Sequence, residues 1–185
     1  MKKSLFPRLA LMAVVIALVS ACSEKKFEYT NVIPANASTV VSINMKSLVD
    51  KAGLNDKESK EAQQKLTDAM KSGMNAATFQ QVEMIMKDPK KSGIDVSAPL
   101  YVFNTETFPT TVIAKVSNED DLHALLETLE KEKVCQPLAS GDGFQFTQMG
   151  NQVFMAYTPS VLMLTNYKGT TQLEKIKQDI PALLK

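Results

Sequence analysis

The first 21 residues carry a pattern that separates them from any folded domain. Lys2, Lys3 and Arg8 give the chain a basic start, and Leu9 to Val19 forms an uninterrupted apolar run. That run has the length of the apolar region of a secretory signal peptide, whereas a helix that crosses a bilayer needs roughly 20 apolar residues. The sequence therefore predicts that residues 1–21 are a signal peptide and take no part in the fold.

The signal segment closes on Leu18-Val19-Ser20-Ala21-Cys22, which resembles the lipobox of bacterial lipoproteins. Small residues before the cysteine suit cleavage by a signal peptidase, and the resemblance implies that the thiol of Cys22 receives the lipid. The alternative is an ordinary signal peptide with a cysteine nearby by chance. Because two or more acyl chains hold a protein firmly on a membrane, lipidation of Cys22 predicts an anchored protein of the cell envelope. We expect the protein to be anchored in the outer membrane, and the sequence leaves open whether it faces the periplasm or the cell surface.

The mature chain that would begin at Cys22 has the composition of one globular domain. Removing the three basic residues of the signal leaves 18 lysines against 20 acidic side chains, and Arg8 is the only arginine. A near-neutral chain without guanidinium groups is not expected to bind nucleic acid. If Cys22 is acylated, Cys135 is a single thiol and no intrachain disulfide supports the fold. We expect residues 22–33 to form a tether and residues 34–185 a single domain.

Apolar periodicity places strands and helices along this domain. β-branched or alternating runs predict strands over residues 39–43, 100–104, 110–116, 134–138, 144–149, 152–157 and 161–165. Helical spacing predicts helices over residues 44–52, 56–72, 76–87 and 170–184, and another behind a Ser117-x-x-Asp120 capping box. Asn44 is the expected cap of the first helix, and Pro181 should end or kink the last one. The order predicts an α+β domain, an antiparallel sheet of about six strands with helices packed mainly on one face.

Three stretches of this domain are similar to one known family. They are Ile33-Pro34-x-x-Ala37-x-x-Val40-Val41-x-Ile43-Asn44 with Ala52-Gly53-Leu54 behind it, then Ser92-Gly93-Ile94-Asp95 with residues 99–103, and finally residues 117–122. Together they resemble an uncharacterised lipoprotein family of Bacteroidota, over most of residues 33–165. The resemblance implies a domain of unknown function with no catalytic residue to carry over. Because members of that family are often longer, it also implies that this chain matches their N-terminal portion.

Two candidate sites involve His123, the only histidine. As the base for a nucleophilic Cys135, His123 would have to reach the thiol, but a buried free cysteine is more commonly a small hydrophobic residue. As a metal ligand, His123 would share a helix face with Glu119 and Glu127, but a tetrahedral site wants about four ligands, generally from more than one element. A solvated charged face is the simpler interpretation, so we expect no catalytic residue and no metal site.

Two weaker signals have equally simple interpretations. Asp142 lies between Gly141 and Gly143, which indicates a turn, since calcium typically needs 6–8 oxygen ligands. Eight methionines follow Cys22, and they either fill the core or line an adaptable apolar groove. They are Met45, Met70, Met74, Met84, Met86, Met149, Met155 and Met163.

The sequence therefore favours a lipid-anchored envelope protein that binds or scaffolds without catalysis. It predicts no cofactor, and a protein or a small apolar ligand as the partner. Two alternatives stay open. An envelope hydrolase would hold two close carboxylates with separated pKa values in a deep polar cleft, and an accessory subunit would leave an apolar patch exposed on the isolated domain.

Overall fold

The structure is a computed structural model that describes residues 28–45, 47, 64, 67–68, 71–72 and 76–184. The predicted signal peptide, Cys22 and most of the helices predicted over residues 44–52 and 56–72 lie outside the described residues. The expected cap at Asn44 is confirmed, because its side-chain oxygen accepts a hydrogen bond from the backbone N–H of Ser47 at 2.9 Å. No helix within the described ranges has the length and apolarity needed to cross a membrane.

One antiparallel sheet of seven strands organises the described part of the chain. The strands are β1 (Thr39–Ile43), β2 (Leu100–Asn104), β3 (Thr111–Lys115), β4 (Ala139–Ser140), β5 (Gln145–Met149), β6 (Val153–Tyr157) and β7 (Val161–Asn166), in the spatial order β1-β2-β3-β7-β6-β5-β4. Three helices of eight residues or more accompany them, α1 (Ala76–Lys87), α2 (Glu119–Lys131) and α3 (Gly169–Leu183). Short 3-10 turns occupy Tyr29–Val32 and Pro89–Ser92. The α+β class is confirmed, with one strand more than expected.

The sheet carries a long helix on each face. Ile113 and Met163 are paired across β3 and β7 and pack with Ile176 of α3. Their neighbours Ala114 and Leu162 point to the opposite face and pack against α2. The expectation that helices lie mainly on one face therefore does not hold for α2 and α3, which cover opposite faces. The central strands are apolar at both odd and even positions, and successive side chains point to opposite faces, so both faces need cover.

The segment between α2 and β5 also differs from the prediction. The strand expected over residues 134–138 is reduced to an isolated bridge between Cys135 and Met149. Pairing starts later, at Ala139–Ser140, which forms the edge strand β4 beside β5. Residue Lys133 has φ 58°, a left-handed conformation that turns the chain at the end of α2. Local β propensity did not reveal this turn.

Two helix ends refine the sequence pattern. The cap of α2 is Asn118, whose side-chain oxygen accepts hydrogen bonds from the backbone N–H groups of Asp120 at 3.0 Å and Asp121 at 3.2 Å. Ser117, the predicted cap, instead donates its backbone N–H to the carbonyl of Gly93. Pro181 lies inside the last turn of α3, which continues to Leu183.

The start of the folded domain lies earlier than residue 34. Tyr29–Val32 forms a 3-10 turn, and Val32 is fully buried in the core beneath α3. The hydroxyl of Tyr29 donates to the carbonyl of Pro99 at 2.9 Å, just before β2. The last part of the predicted tether, from Tyr29, is therefore packed against the domain.

The loop before β2 holds a carboxylate with a strongly lowered pKa. The hydroxyl and backbone N–H of Ser97 donate to Asp95, and the ammonium group of Lys115 lies 2.9 Å from its other oxygen. These bonds lower the pKa of Asp95 to about 2, and the hydrogen bond from the Ser97 hydroxyl has the largest effect.

This site predicts a specific acid sensitivity. The folded pKa lies below the unfolded one, so its stabilisation is present above about pH 4 and is lost as the pH falls through 2. Because Lys115 is half exposed, we expect these interactions of Asp95 to contribute about 1 kcal/mol to the free energy of unfolding. Urea unfolding should show a larger deficit of Asp95→Asn relative to wild type at pH 5 than at pH 2. An equal deficit at both values would contradict this assignment.

Candidate ligand-binding cavity

A cavity of about 240 Å³ opens between the end of α3 and the β4–β5 hairpin. Its lining combines three phenylalanines with residues of the hairpin turn and of the helix: Phe144, Phe146, Phe154, Gly141, Asp142, Lys177, Ile180 and Pro181. The lining is mainly apolar, as is usual for sites that hold small ligands. We call it the phenylalanine cavity.

The three rings share one face of the sheet because of strand alternation and hairpin register. Phe144 and Phe146 are two residues apart, and Phe146 lies opposite Ala156 in β6, two residues beyond Phe154. The ring centroids of Phe144 and Phe146 are 5.8 Å apart, and those of Phe146 and Phe154 are 5.5 Å apart in a stacked arrangement. Phe144 and Phe154 are buried, whereas Phe146 is only half buried. Such offset ring contacts hold an aromatic wall in a defined shape.

The turn before β5 depends on a glycine at position 141. A Cβ atom at Gly141 would lie 2.4–2.8 Å from three ring atoms of Phe144. The backbone N–H of Gly141 also donates to the carbonyl of Phe144 at 2.8 Å, which closes the turn over the ring. Any side chain at this position would therefore displace the Phe144 ring.

The rim of the cavity is polar. Asp142 is exposed on the hairpin side, and Lys177 of α3 forms an ion pair with Glu174 at 2.9 Å. Pro181 has no N–H and so cannot donate to the carbonyl of Lys177 four residues earlier. The arrangement suits an apolar group in the interior and a polar substituent at the mouth. The described residues that line it include no serine, threonine, cysteine or histidine.

A second cavity of about 240 Å³ is lined by Pro109, Asn166, Tyr167, Lys168 and Gln172. Two of its polar side chains have partners inside the protein. The side-chain oxygen of Gln172 accepts from the backbone N–H of Lys168 at 2.6 Å, and the hydroxyl of Tyr167 donates to Gln148 at 3.1 Å. It lacks the aromatic wall, so it is the weaker candidate.

His123 is part of a chain of contacts on the α2 side of the sheet. Its Nδ1 lies 2.7 Å from the hydroxyl of Tyr157, and its Nε2 lies 3.5 Å from a carboxylate oxygen of Glu127. Burial raises the pKa of Tyr157, and the charges of Glu119 and Glu127 add to that shift. His123 thus satisfies a buried phenol, which is a structural role.

The structure does not bring Cys135 and His123 into a reactive pair. The thiol of Cys135 is buried and lies 3.7 Å from the carbonyl of Leu126, to which it donates. Burial raises the pKa of this thiol, which disfavours the nucleophilic thiolate. The small-hydrophobe interpretation fits these contacts.

The structure also places the residues considered for a metal site and for a methionine-lined groove. In the described ranges, no group of three or more His, Cys, Asp or Glu side chains is arranged to hold a metal ion. Met155 and Met163 fill the two cores, whereas Met84 and Met86 are exposed on α1. None of these methionines lines either cavity.

The phenylalanine cavity was not predicted from the sequence. Its signal is present in the hairpin, because Phe144 and Phe146 alternate and Phe154 follows across the Gly150-Asn151 turn. That pattern predicts three rings on one face of the sheet. What it does not predict is the position of Lys177 and Pro181, since this requires knowing which face α3 covers.

The described residues form a small α+β domain, an open antiparallel sheet with α2 and α3 packed on opposite faces. The chain belongs to the family described as Domain of unknown function (DUF4836), which matches residues 29–185. The match begins at Tyr29, the first residue of the 3-10 turn that buries Val32 in the core. No curated protein and no solved structure shows a significant match to the chain.

Proposed function

We propose that this protein is a lipid-anchored module of the cell envelope that binds a small apolar group in the phenylalanine cavity without catalysing a reaction. The anchoring part is supported by the lipobox resemblance that ends at Cys22. The binding part is supported by one observation above all, the aromatic wall of Phe144, Phe146 and Phe154 around about 240 Å³.

The volume limits the size of the ligand. A cavity of about 150 Å³ accepts benzene in other proteins, so about 240 Å³ has room for one aromatic ring with a short substituent. An aromatic wall favours a planar ring, which can make offset or edge-to-face contacts with phenylalanine. A polar substituent would face Asp142 and Lys177. Such a group can belong to a free small molecule or to a side chain of a partner protein.

The hydrolase alternative finds little support in the two cavities. Among the described residues that line them, Asp142 is the only carboxylate. A glycosidase-type site needs two carboxylates across the scissile bond. The accessory-subunit alternative has more support, because Val40 and Val41 are both exposed at one edge of the sheet.

Titration with indole tests the binding proposal on the full-length protein in detergent. We expect saturable binding that raises the melting temperature as ligand concentration exceeds Kd. Gly141→Ala should weaken that binding at least tenfold, because the new methyl group displaces the Phe144 ring that forms part of the cavity wall. We would measure both by thermal denaturation and by NMR shifts of the phenylalanine rings.

Gly143→Ala is the matched control for this titration. Gly143 belongs to the same turn, but a Cβ atom there meets nothing within 4 Å. Its φ of 85° makes alanine strained, so the variant loses stability while the ring positions stay unchanged. Equal affinities of wild type and Gly141→Ala, or no saturable binding by the wild type, would overturn the proposal.

A further inference from the structure

The strand β1 is an edge strand of the described sheet. Within the described residues it pairs with β2 alone. Edge strands are usually protected by charged residues, proline or bulges against pairing with another chain, but Thr39–Ile43 contains neither a charge nor a proline. Val40 and Val41 point to opposite faces and are 49% and 47% exposed. The edge therefore offers apolar side chains on both faces.

The backbone of this edge also has hydrogen-bonding groups that point away from β2. Ser38 donates its N–H to the carbonyl of Asn104 at 3.0 Å, so that carbonyl points toward β1. Because backbone groups alternate in direction along a strand, the N–H and C=O groups of Val102 also point toward β1, where they bond to Val41. The N–H and C=O groups of Val40 and Ser42 then point away from β2. They have no partner among the described residues.

We propose that a second copy of this chain pairs with β1 in the antiparallel direction, with Val41 opposite Val41 on the two-fold axis. In this register Val40 lies opposite Ser42 of the other copy. The outward groups of these two residues then form four backbone hydrogen bonds, two on each side of the axis. The Val41 pair is the non-hydrogen-bonded pair between them, where side chains lie closest.

The choice of a second copy depends on self-complementarity. An isologous interface places each residue against the symmetry-related part of the same segment, and no like charges meet when Thr39–Ile43 pairs with itself. Partly exposed apolar side chains are paired across β1, β2, β3 and β7 and form one row: Val41, Val102, Val112 and Leu164. Pairing through Val41 joins the two rows into one.

The expected dimer is reversible. A stable interface buries about 1,200 Å² or more, and a five-residue edge strand supplies less than that. Pairing is therefore expected at high protein concentration and not at low concentration. This inference does not depend on the ligand cavity or on lipidation, because purified protein is sufficient to test it.

A disulfide scan of the full-length protein tests the register. Val41→Cys should crosslink to its own copy under mild oxidation, since Cα atoms of a non-hydrogen-bonded pair are about 4.5 Å apart. Val40→Cys is the matched control, with nearly the same exposure on the same strand. In the proposed register the two Val40 positions are offset by two residues, which places their Cα atoms about 8 Å apart. We therefore expect at least fivefold less disulfide dimer than for Val41→Cys. Circular dichroism confirms that each variant is folded.

Mixing two differently tagged variants provides an independent readout. Val40→Cys and Ser42→Cys should form a mixed disulfide with each other in higher yield than either forms with itself. Dilution before oxidation should abolish all three products. Equal yields at positions 40, 41 and 42, or no disulfide dimer of Val41→Cys at high protein concentration, would overturn the proposed pairing.

Discussion

Gly93→Ala is expected to destabilise the domain by about 3 kcal/mol, from overpacking added to left-handed backbone strain. Gly93 is buried and has φ 76°. A Cβ atom there would lie 2.4 Å from the carbonyl oxygen of Asn118 and from the backbone nitrogen of Leu122. Those atoms belong to the start of α2 and cannot rotate away. Urea unfolding followed by circular dichroism measures the loss.

Gly169→Ala separates the two causes of this loss. Gly169 has the same φ of 76°, but a Cβ atom there meets nothing within 4 Å. We expect Gly169→Ala to lower the free energy of unfolding by about 1 kcal/mol, from backbone strain alone. Equal losses for the two variants would contradict the close packing of α2 on the Pro89–Ser92 turn.

Cys22→Ala is expected to abolish incorporation of labelled palmitate and to shift the protein out of the membrane fraction. Acyl chains contribute about 0.8 kcal/mol for each buried CH₂ group, so their loss removes the anchor. The measurement is growth with labelled fatty acid, followed by fractionation and gel analysis. Cys135→Ala is the control, because it removes the other cysteine, which is buried in the domain. A wild type without label, together with a Cys22→Ala variant that still sediments with membranes, would contradict anchoring.

The elements that local pattern predicted well have their information close together in sequence. The helix over residues 76–87 and the strands at Thr39–Ile43 and Leu100–Asn104 have the predicted bounds. The hairpin across Gly150-Asn151 is confirmed, with Met149 opposite Val153 and Gly150 at φ 56°. In each case periodicity or turn chemistry is sufficient to specify the element.

The features that were missed depend on distant contacts. Helix placement on both faces follows from the register of β3 against β7, which are about 50 residues apart. The burial of Val32 depends on α3, at the other end of the chain. The phenylalanine cavity likewise needs Lys177 and Pro181 above rings from β5 and β6. No local pattern contains that information.

Mass spectrometry of the mature N-terminus tests the central claim, a domain held at the envelope by a lipid, most directly. The protein would be purified from its own membranes and digested. We predict an N-terminal peptide that begins at Cys22 and carries the added mass of two or more acyl chains. An unmodified peptide that contains Cys22, or a mature N-terminus at another residue, would contradict the account.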